Sequence, residues 1–396
     1  MSSSFLQIPI ISWMNIKNIP QRLGTSSVAV FGVACVVGVF IGVLSMATGF
    51  QRTMLKGGAE DVAIIMRSGA TSEMASGLGY AQAQEISHLP GIVRDGEEPV
   101  SSPELYVVVD VTKRTTNTSA NVPLRGVLSA AFTVRKNLKI VEGRTFTPGT
   151  NELVVGRAVQ RQFAQLNVGD KIKFGSTEWT VVGAFEADGG LAESELWCDA
   201  KVLQEVYRRG NSFQTIRVKL DGADGMQKLK TGLASNPTFN FSAQLESDYL
   251  AEQSKPLTLF IKTIGWPVAI LMAIGAIFGA INTMYTSVST RTREIATLRA
   301  IGFGSLPVAI STLVESILLS LIGGVIGAVI VYLLFNGYTV STLNFSSFSQ
   351  VVFDFAVTKD LIVQGIWFAV IIGFIGGFFP AIRAANLPIA TALREV

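Results

Sequence analysis

The chain alternates between long stretches that carry no charge and one long polar stretch. Arg22 and Arg52 enclose 29 residues without Lys, Arg, Asp or Glu. Lys262 and Arg291 enclose 28, Glu315 and Asp354 enclose 38, and Asp360 and Arg383 enclose 22. A helix needs about 20 apolar residues to cross the hydrocarbon core of a bilayer. The pattern predicts a membrane protein, α-helical with four transmembrane helices, plus a large α+β extracytoplasmic domain inserted between helices 1 and 2. The expected segments are an amphipathic N-terminal helix over 1–26, a first span over 27–50 and the inserted domain over 51–255. They continue with a stalk and second span over 256–289, a short cytoplasmic helix over 290–305 and a third span over 306–335. An external loop over 336–360, a fourth span over 361–382 and a tail over 383–396 complete the chain.

Span one competes with a signal-peptide reading. Lys17 and Arg22 would form its basic region, and Ser45, Met46 and Ala47 have the small-x-small pattern of a cleavage site. The apolar region of a signal peptide runs about 7–15 residues. Val28 to Leu44 is already 17, so the segment is expected to stay as a span. Orientation follows from Lys and Arg in short flanking segments. Lys17 and Arg22 precede span one, Arg291, Arg293 and Arg299 lie between spans two and three, and Arg383 and Arg394 follow span four. The loop between spans three and four carries only Lys359 against Asp354 and Asp360. Both termini and the middle loop are therefore expected in the cytoplasm, and the insert outside. Span two is too long for a bilayer. Ser247 to Ser289 reads as one helix, on the order of 60 Å at 1.5 Å per residue, half of it a stalk that Pro256 and Pro267 could kink. The alternative is a separate amphipathic helix ending at Lys255-Pro256.

The insert mixes β-rich runs with short helical ones. Asp61–Met66, Leu105–Val109, Glu152–Val155 and Gln214–Leu220 read as strands, and Lys171–Phe174 with Glu178–Gly183 as a hairpin. Gln82–Leu89, Arg157–Leu166, Ala200–Arg209 and Gly225–Ala234 have helical patterns. Two halves are expected, 51–120 together with 213–255, and 121–212. Glu193 and Glu195 alternate along an expected strand and read as a solvated face.

Composition separates two materials. The chain is 49% hydrophobic and 15% charged, against about 25% charged in soluble domains. Its net charge of +3 sums a basic rim on the cytoplasmic segments and a neutral insert, which holds 23 basic and 24 acidic residues. A neutral insert offers no basic face for nucleic acid. His88 reads as a helix-end residue, and no metal site is expected. Cys35, in span one, and Cys198, in the insert, lie too far apart in the layout to pair. No nucleophile elbow, His-Glu-x-x-His or paired-carboxylate pattern occurs, and no catalytic residue is assigned. The phosphate-binding loop Gly-x-x-x-x-Gly-Lys-Ser/Thr is absent from the sequence, so this chain is expected to bind no cofactor itself.

Each span carries a Gly-x-x-x-Gly pair: Gly38/Gly42, Gly275/Gly279, Gly323/Gly327 and Gly373/Gly377. Such pairs let helix backbones approach closely and predict a tight bundle, within one chain or across a dimer. Glu315 lies inside span three, where an ionisable group faces the bundle interior or a cavity. It serves a proton or substrate path, or a structural hydrogen bond.

The stretch Ser287 to Gly302, S-V-S-T-R-T-R-E-I-A-T-L-R-A-I-G, reads as a short helix at the cytoplasmic end of span two. It presents Arg291, Glu294 and Arg299, with Ile295 and Leu298 able to enter a groove and Gly302 or Gly304 able to end the helix in a left-handed turn. The plain alternative is a basic anchor at the membrane surface. Its Arg-x-Arg-Glu-Ile-Ala-x-x-x-Ala-Ile-Gly core resembles the coupling segment of the MacB/FtsX/LolC-type ABC transporter permeases. Phe260–Ser289 resembles their second span, Glu315 matches a Glu in their third, and Pro380 to Pro388 with Ala392-Leu393-Arg394 is similar to their C-terminal pattern. Trp13 to Leu23 resembles their amphipathic lead-in helix. Thr290 stands where an acidic residue is frequent and Phe303 where Ala is usual.

The resemblance implies a permease of a bacterial inner membrane, nearer the split members that lack an ATPase domain of their own. It implies a homodimer or heterodimer of permeases in membrane lipid, and a separate cytoplasmic ABC ATPase subunit that brings ATP and Mg. Arg291, Arg293, Glu294, Ile295, Leu298 and Arg299 would be the contact residues for that ATPase. The movement of the outer domain by ATP-driven closure is called mechanotransmission. A periplasmic adaptor protein fits an efflux version. The alternatives are an FtsX-like signal transducer that activates an extracytoplasmic hydrolase, a lipoprotein-releasing permease of the LolC/LolE type, and an unrelated membrane sensor. The coupling pattern disfavours the last.

Overall fold

A computed structural model of the chain describes residues 2–18, 23–236 and 238–389. Arg22 and the Ala392-Leu393-Arg394 ending lie outside the described residues. The chain forms two compact units, 1–48 with 260–338 and 355–396, and 49–259 with 339–354.

Six long or linking helices make up the first unit and the joints: α1 Ser2–Asn18, α2 Leu23–Lys56, α3 Glu246–Thr290, α4 Thr292–Ala300, α5 Ser305–Phe335 and α6 Lys359–Ala385. Among the described residues four helices are long and apolar enough to cross a membrane: α2 from Ser26, α3, α5 and α6. The α3 helix is unbroken through Pro256 and Pro267. At 1.5 Å per residue its 45 residues extend about 67 Å.

The glycine pairs fall into two groups. A side chain at Gly323 or Gly327 on α5 would strike the α2 backbone at Val30 and Ala34, and one at Gly373 or Gly377 on α6 would strike Ser320 and Ser316 of α5. Ser316 Oγ also donates to the Gly373 carbonyl at 2.8 Å. These glycines bring α2, α5 and α6 together around Val33, Val37, Ile41, Ala328, Ala369 and Ile372. Gly38 touches only Val331 and Gly327, and among the described residues nothing lies within 4 Å of an added side chain at Gly42, Gly275 or Gly279. The expected packing role is therefore absent from the last three within one chain.

The second unit is built on one ten-stranded mixed sheet. Its strands are β1 Val62–Arg67, β2 Ser101–Thr112, β3 Ser119–Val127, β4 Lys139–Gly143, β5 Glu152–Gly156, β6 Lys171–Phe174, β7 Thr177–Glu186, β8 Leu196–Asp199, β9 Thr215–Lys219 and β10 Phe241–Leu245. The order is β10-β1-β9-β2-β3-β8-β5-β7-β4, with β6 paired to β7. The long β2 joins the two parts of this sheet. Its Ser101–Glu104 end pairs with β9 and its Leu105–Thr112 end pairs with β3. The sheet thus runs across the boundary expected near residue 120. Apolar clusters flank it, one around Leu105, Val107, Leu124 and Trp179, another around Ile65, Ile86, Ile216 and Leu229. Both faces of its central strands are covered, which explains their near-continuous apolar runs.

The segment 336–360, expected as an external loop, contains a β-hairpin instead, β11 Thr339–Asn344 with β12 Ser349–Asp354. It belongs to the sheet unit. Val352 enters the apolar cluster of Leu105 and Leu196. Its β-branched and apolar run Val351-Val352-Phe353, with Ser346 and Ser347 at the turn, is a strand-and-turn cue.

Candidate functional site

The first candidate site is the short helix α4. Span two ends at Thr290, and Arg291 leaves the helix with φ −110° and ψ 9° before α4 begins. The helix ends in a Schellman motif. Gly302 is left-handed at φ +107°, its N–H donates to the Arg299 carbonyl at 3.1 Å, and the Phe303 N–H donates to the Leu298 carbonyl at 3.1 Å. Glycine adopts this conformation without the clash a side chain would bring. Gly304, the other candidate, is extended at φ −70° and starts α5, its N–H donating to Gln7 Oε1 at 3.2 Å.

The six residues expected to meet a partner are split by the fold. Arg291 is buried, 7% exposed, and turned inward. Its Nη1 donates to Glu315 Oε2 at 3.0 Å, and its Nη2 donates to Asn15 Oδ1 on α1. Asn15 Nδ2 in turn donates to Ser311 Oγ on α5 at 3.0 Å, and Ser287 Oγ lies 3.5 Å from Glu315 Oε1. Glu315 therefore holds an ion pair at the root of α4. A charge pair taken from water is favourable only when its geometry and remaining hydrogen bonds are satisfied, and this network supplies both. Ile295 is also buried, among Ile11, Val288, Val308 and Ala384. Arg299, half-buried, donates from Nη1 to the carbonyls of Ala385 and Leu387 at 3.0 and 2.8 Å. A cation there meets the negative end of the α6 dipole. Leu298 is half-buried. Only Arg293 and Glu294 of the six lie on the outward face, with Thr297, Ala300 and Ile301 beside them. Ile301 is 72% exposed, and the sequence reading passed over it. The inward face of α4 is thereby fixed to α1, α5 and α6, while its outward face offers charges and one large apolar side chain.

The second candidate is a buried ionic core in the sheet unit, which the sequence reading missed. On one face of the sheet Glu104 and Tyr106 of β2 stand opposite Thr215 of β9 and Arg125 of β3. Arg217 lies two residues along β9, on the same face by the period of two. Seven charged side chains meet here: Glu73, Glu104, Arg125, Arg135, Glu195, Arg217 and Glu246. Arg125 Nη1 donates to Glu73 Oε2 at 2.6 Å and Glu104 Oε2 at 2.8 Å, and its Nη2 to Glu195 Oε1 at 2.7 Å. Arg217 donates to Glu246 Oε1 at 2.6 Å, Glu104 Oε2 at 2.6 Å and Glu73 Oε1 at 2.9 Å. Arg135 donates to Glu104 Oε1 at 2.7 Å and lies over the Trp197 ring at 4.9 Å. All seven are under 9% exposed.

Burial by itself would push the Glu73 and Glu104 carboxyls up. The guanidiniums of Arg125 and Arg217 outweigh it at Glu73 and hold that group well below the usual carboxylate range. At Glu104, Arg135, Arg217 and Arg125 together bring the value down to about 2. Burial disfavours the charged form of Arg125 as well, but Glu195 and Glu73 reverse that and leave it more firmly protonated than a free guanidinium. Glu195 is accordingly no solvated residue. It is 3% exposed and its Oε2 accepts from the Trp197 indole at 2.7 Å. Glu193 is buried too, in the short 3-10 turn Leu191–Ser194, where its Oε1 accepts from the N–H groups of Ala187 and Gly189 at 2.8 and 2.7 Å. The expected strand face at 193–195 is replaced by a turn and a buried anchor. His88 ends the helix Tyr80–Ser87, its N–H donating to Glu85 and Ile86 carbonyls.

Residues 26–235 match the family model of the MacB-like periplasmic core domain, and residues 267–389 match that of the FtsX-like permease C-terminal region. The first alone spans more than half of the chain. The chain belongs to the MacB/FtsX-type family of ABC transporter permeases. Among relatives of this family, the macrolide export ATP-binding/permease protein MacB of Pasteurella multocida (strain Pm70) is 27% identical over 312 residues, 73% of this chain and 45% of that protein. The MacB of Acinetobacter baylyi is 22% identical over 388 residues, 91% of this chain and 56% of the relative. The ABC transporter permease YknZ of Bacillus subtilis (strain 168) is 25% identical over 276 residues, 65% of this chain and 66% of YknZ. The chain thus spans about half the length of the MacB relatives it matches. The periplasmic region of MacB from Actinobacillus actinomycetemcomitans aligns with 51% of this chain and 96% of that structure, at 18% identity and a TM-score of 0.39. As a MacB/FtsX-type permease the protein is a multi-pass membrane protein with a periplasmic-type domain between its first two spans.

Proposed function

We propose that this permease works as the membrane subunit of an ATP-driven exporter in a bacterial inner membrane, with both termini in the cytoplasm and a separate ABC ATPase docked on α4. The observation that carries the reading is the division of α4 into two faces. The inward face is tied to α1, α5 and α6 through Arg291, Ile295 and Arg299, so a push on the helix reaches three other elements. The outward face, with Arg293, Glu294, Thr297, Ala300 and Ile301, is the docking surface. ATP and Mg enter through the partner, and this chain contributes no catalytic group. Two permease copies, alike or different, would complete the transporter.

Export is favoured over FtsX-like signalling and LolC/LolE-like lipoprotein release by the relatives named for macrolide export and for syringafactin export, the latter SyfD of Pseudomonas syringae pv. syringae at 30% identity over 249 residues. A periplasmic adaptor fits the same reading. The test is co-purification of the tagged chain from native membranes. The expected result is a companion ATPase with a P-loop, lost in the double variant Arg293→Glu with Ile301→Asp while the permease itself stays folded. The absence of any such ATPase from the wild-type sample, or its retention by the double variant, overturns the reading.

A further inference from the structure

Besides the end of α2, two segments of the sheet unit run on directly into membrane spans. One is the start of α3, which continues into span two. The other is the β11–β12 hairpin, which joins spans three and four. Each is fastened to the sheet unit by specific bonds; those of α3 include core members directly, and those of the hairpin end on Tyr106 and Ser194, which adjoin the core.

At α3, Glu246 Oε1 accepts from Arg217 Nε at 2.6 Å. One turn on, the Tyr249 hydroxyl accepts from the Glu73 N–H at 3.2 Å, and Gln253 Nε2 donates to the Thr71 carbonyl at 2.7 Å. At the hairpin, the Val352 N–H donates to Ser194 Oγ at 2.9 Å, with the Val352 carbonyl 3.3 Å from the same oxygen. The Tyr106 hydroxyl and Ser349 Oγ lie 3.0 Å apart, and Asn121 Nδ2 donates to the Phe348 carbonyl at 3.0 Å. Ser194 is the neighbour of Glu195, and the Tyr106 ring lies 5.0 Å from the Arg125 guanidinium. The path between the two segments is short: Glu246, Arg217, then Glu73 and Glu104 in parallel, then Arg125 and Glu195.

We infer that the ionic core is a relay that makes the root of α3 and the β11–β12 hairpin move as one body, with Arg125 and Arg217 as its positioning residues. Three properties of the path support this. From Glu246 to Glu195 every step is a charge-assisted hydrogen bond, the strong and directional kind, and the last step to the hairpin runs through Tyr106, stacked on Arg125, and Ser194, the neighbour of Glu195. Arg125 engages three carboxylates and Arg217 another set of three, two of them shared, so neither can turn without breaking bonds to several partners. The residues are buried, and a broken charge pair in a low-dielectric interior has no water to replace its partner. Such a network changes between discrete arrangements rather than yielding gradually. Spans two, three and four would then act on the sheet unit together. The relay needs no ATPase to be tested, so its failure is separate from failure of the export reading.

The experiment is amide hydrogen exchange read by mass spectrometry on the full chain in lipid nanodiscs. Glu246→Gln removes the charge at the α3 end and keeps the shape. Tyr106→Phe combined with Ser194→Ala loosens the hairpin and leaves all seven ionic residues in place. The relay predicts that either change raises exchange about tenfold in both segments, in Tyr249–Gln253 and in Thr339–Asp354, the scale expected for one lost hydrogen bond to a charged group or two lost neutral ones. Strands β4 and β6 stay at the wild-type rate. A rise confined to the segment next to the substitution, an even rise over all ten strands, or no rise in either segment overturns it.

Discussion

Replacing Glu104 by Gln isolates one central contribution of the ionic core. The Glu104 carboxylate is fully buried and accepts from Arg125, Arg135, Arg217 and the Ser102 hydroxyl. Glutamine has nearly the same shape but presents an NH2 where those donors need an acceptor, and it leaves three guanidiniums facing three carboxylates. Lowering a carboxyl from 4.5 to about 2 on folding corresponds to about 3 kcal/mol at neutral pH, since each unit is worth about 1.4 kcal/mol. Removing one partner of a buried pair costs about 3–5 kcal/mol in general, and the two figures agree. For a unit of this size that loss lowers the melting temperature by about 6–12 °C. The assay is thermal unfolding of the full chain followed by fluorescence, with the fully buried Trp179 and Trp197 reporting on the sheet unit. The pH dependence supplies an independent check. A carboxyl lowered by folding stabilises fully above its unfolded value, near pH 4.5, and loses that contribution as pH falls toward about 2. The gap between wild type and Glu104→Gln should therefore be constant from about pH 8 to 5 and shrink to about 1 kcal/mol at about pH 3. A gap under about 1 kcal/mol at about pH 7, or one that does not narrow on acidification, refutes the reasoning.

Three further outcomes follow from the geometry. Arg291→Ala removes the guanidinium that Glu315 pairs with and should destabilise the first unit by about 3–5 kcal/mol, whereas Arg291→Ala with Glu315→Gln should recover part of the loss, which chemical denaturation in detergent can measure. Gly327→Val forces a branched side chain onto the α2 backbone at Ala34 and should cut the yield of folded protein sharply, while Gly275→Ala and Gly279→Ala, which meet no atom within 4 Å among the described residues, should leave the folded yield of the single chain at wild-type level. Gly302→Ala places a side chain at φ +107° and should cost about 1–2 kcal/mol, seen as faster exchange of the amides of α4 with no change in those of β2.

The membrane layout was legible because the bilayer imposes a minimum apolar length on every span. The charge-free runs of 22 to 38 residues all exceed that length, and soluble segments rarely go so far without a charge. The order of strands was partly legible, since β1, β5 and β9 are apolar runs between turn residues, but the pairing that makes one sheet of them was not. It depends on β2, whose two ends pair with strands from opposite flanks of the insert. The same limit applies to the contact residues of α4. Sequence spacing places Arg291 and Glu294 on one helix, yet Arg291 precedes the helix and turns to Glu315, a partner 24 residues away. A helical wheel has no position for a residue that stands just outside the helix.

The ionic core was hidden for a more general reason. Its members come from seven separate places between residues 73 and 246, and no local window contains more than two of them. Charged residues at alternate positions of a strand are normally assigned to water, a sound rule when one face of the sheet is wet. Here both faces are covered, so the charges at Glu104, Arg125 and Arg217, each on its own strand, mark a second interior rather than a surface. The cue was the company these residues keep. Each stands beside apolar strand residues, in Glu104-Leu-Tyr-Val-Val, in Val122-Pro-Leu-Arg-Gly and in Thr215-Ile-Arg-Val, and the signs nearly balance across the set. Isolated charges of opposite sign inside several apolar strands of one domain are more stable together than apart, because an unpaired buried charge costs far more than a paired one. By that rule Glu104, Arg125 and Arg217 belong together on the strength of their strands alone.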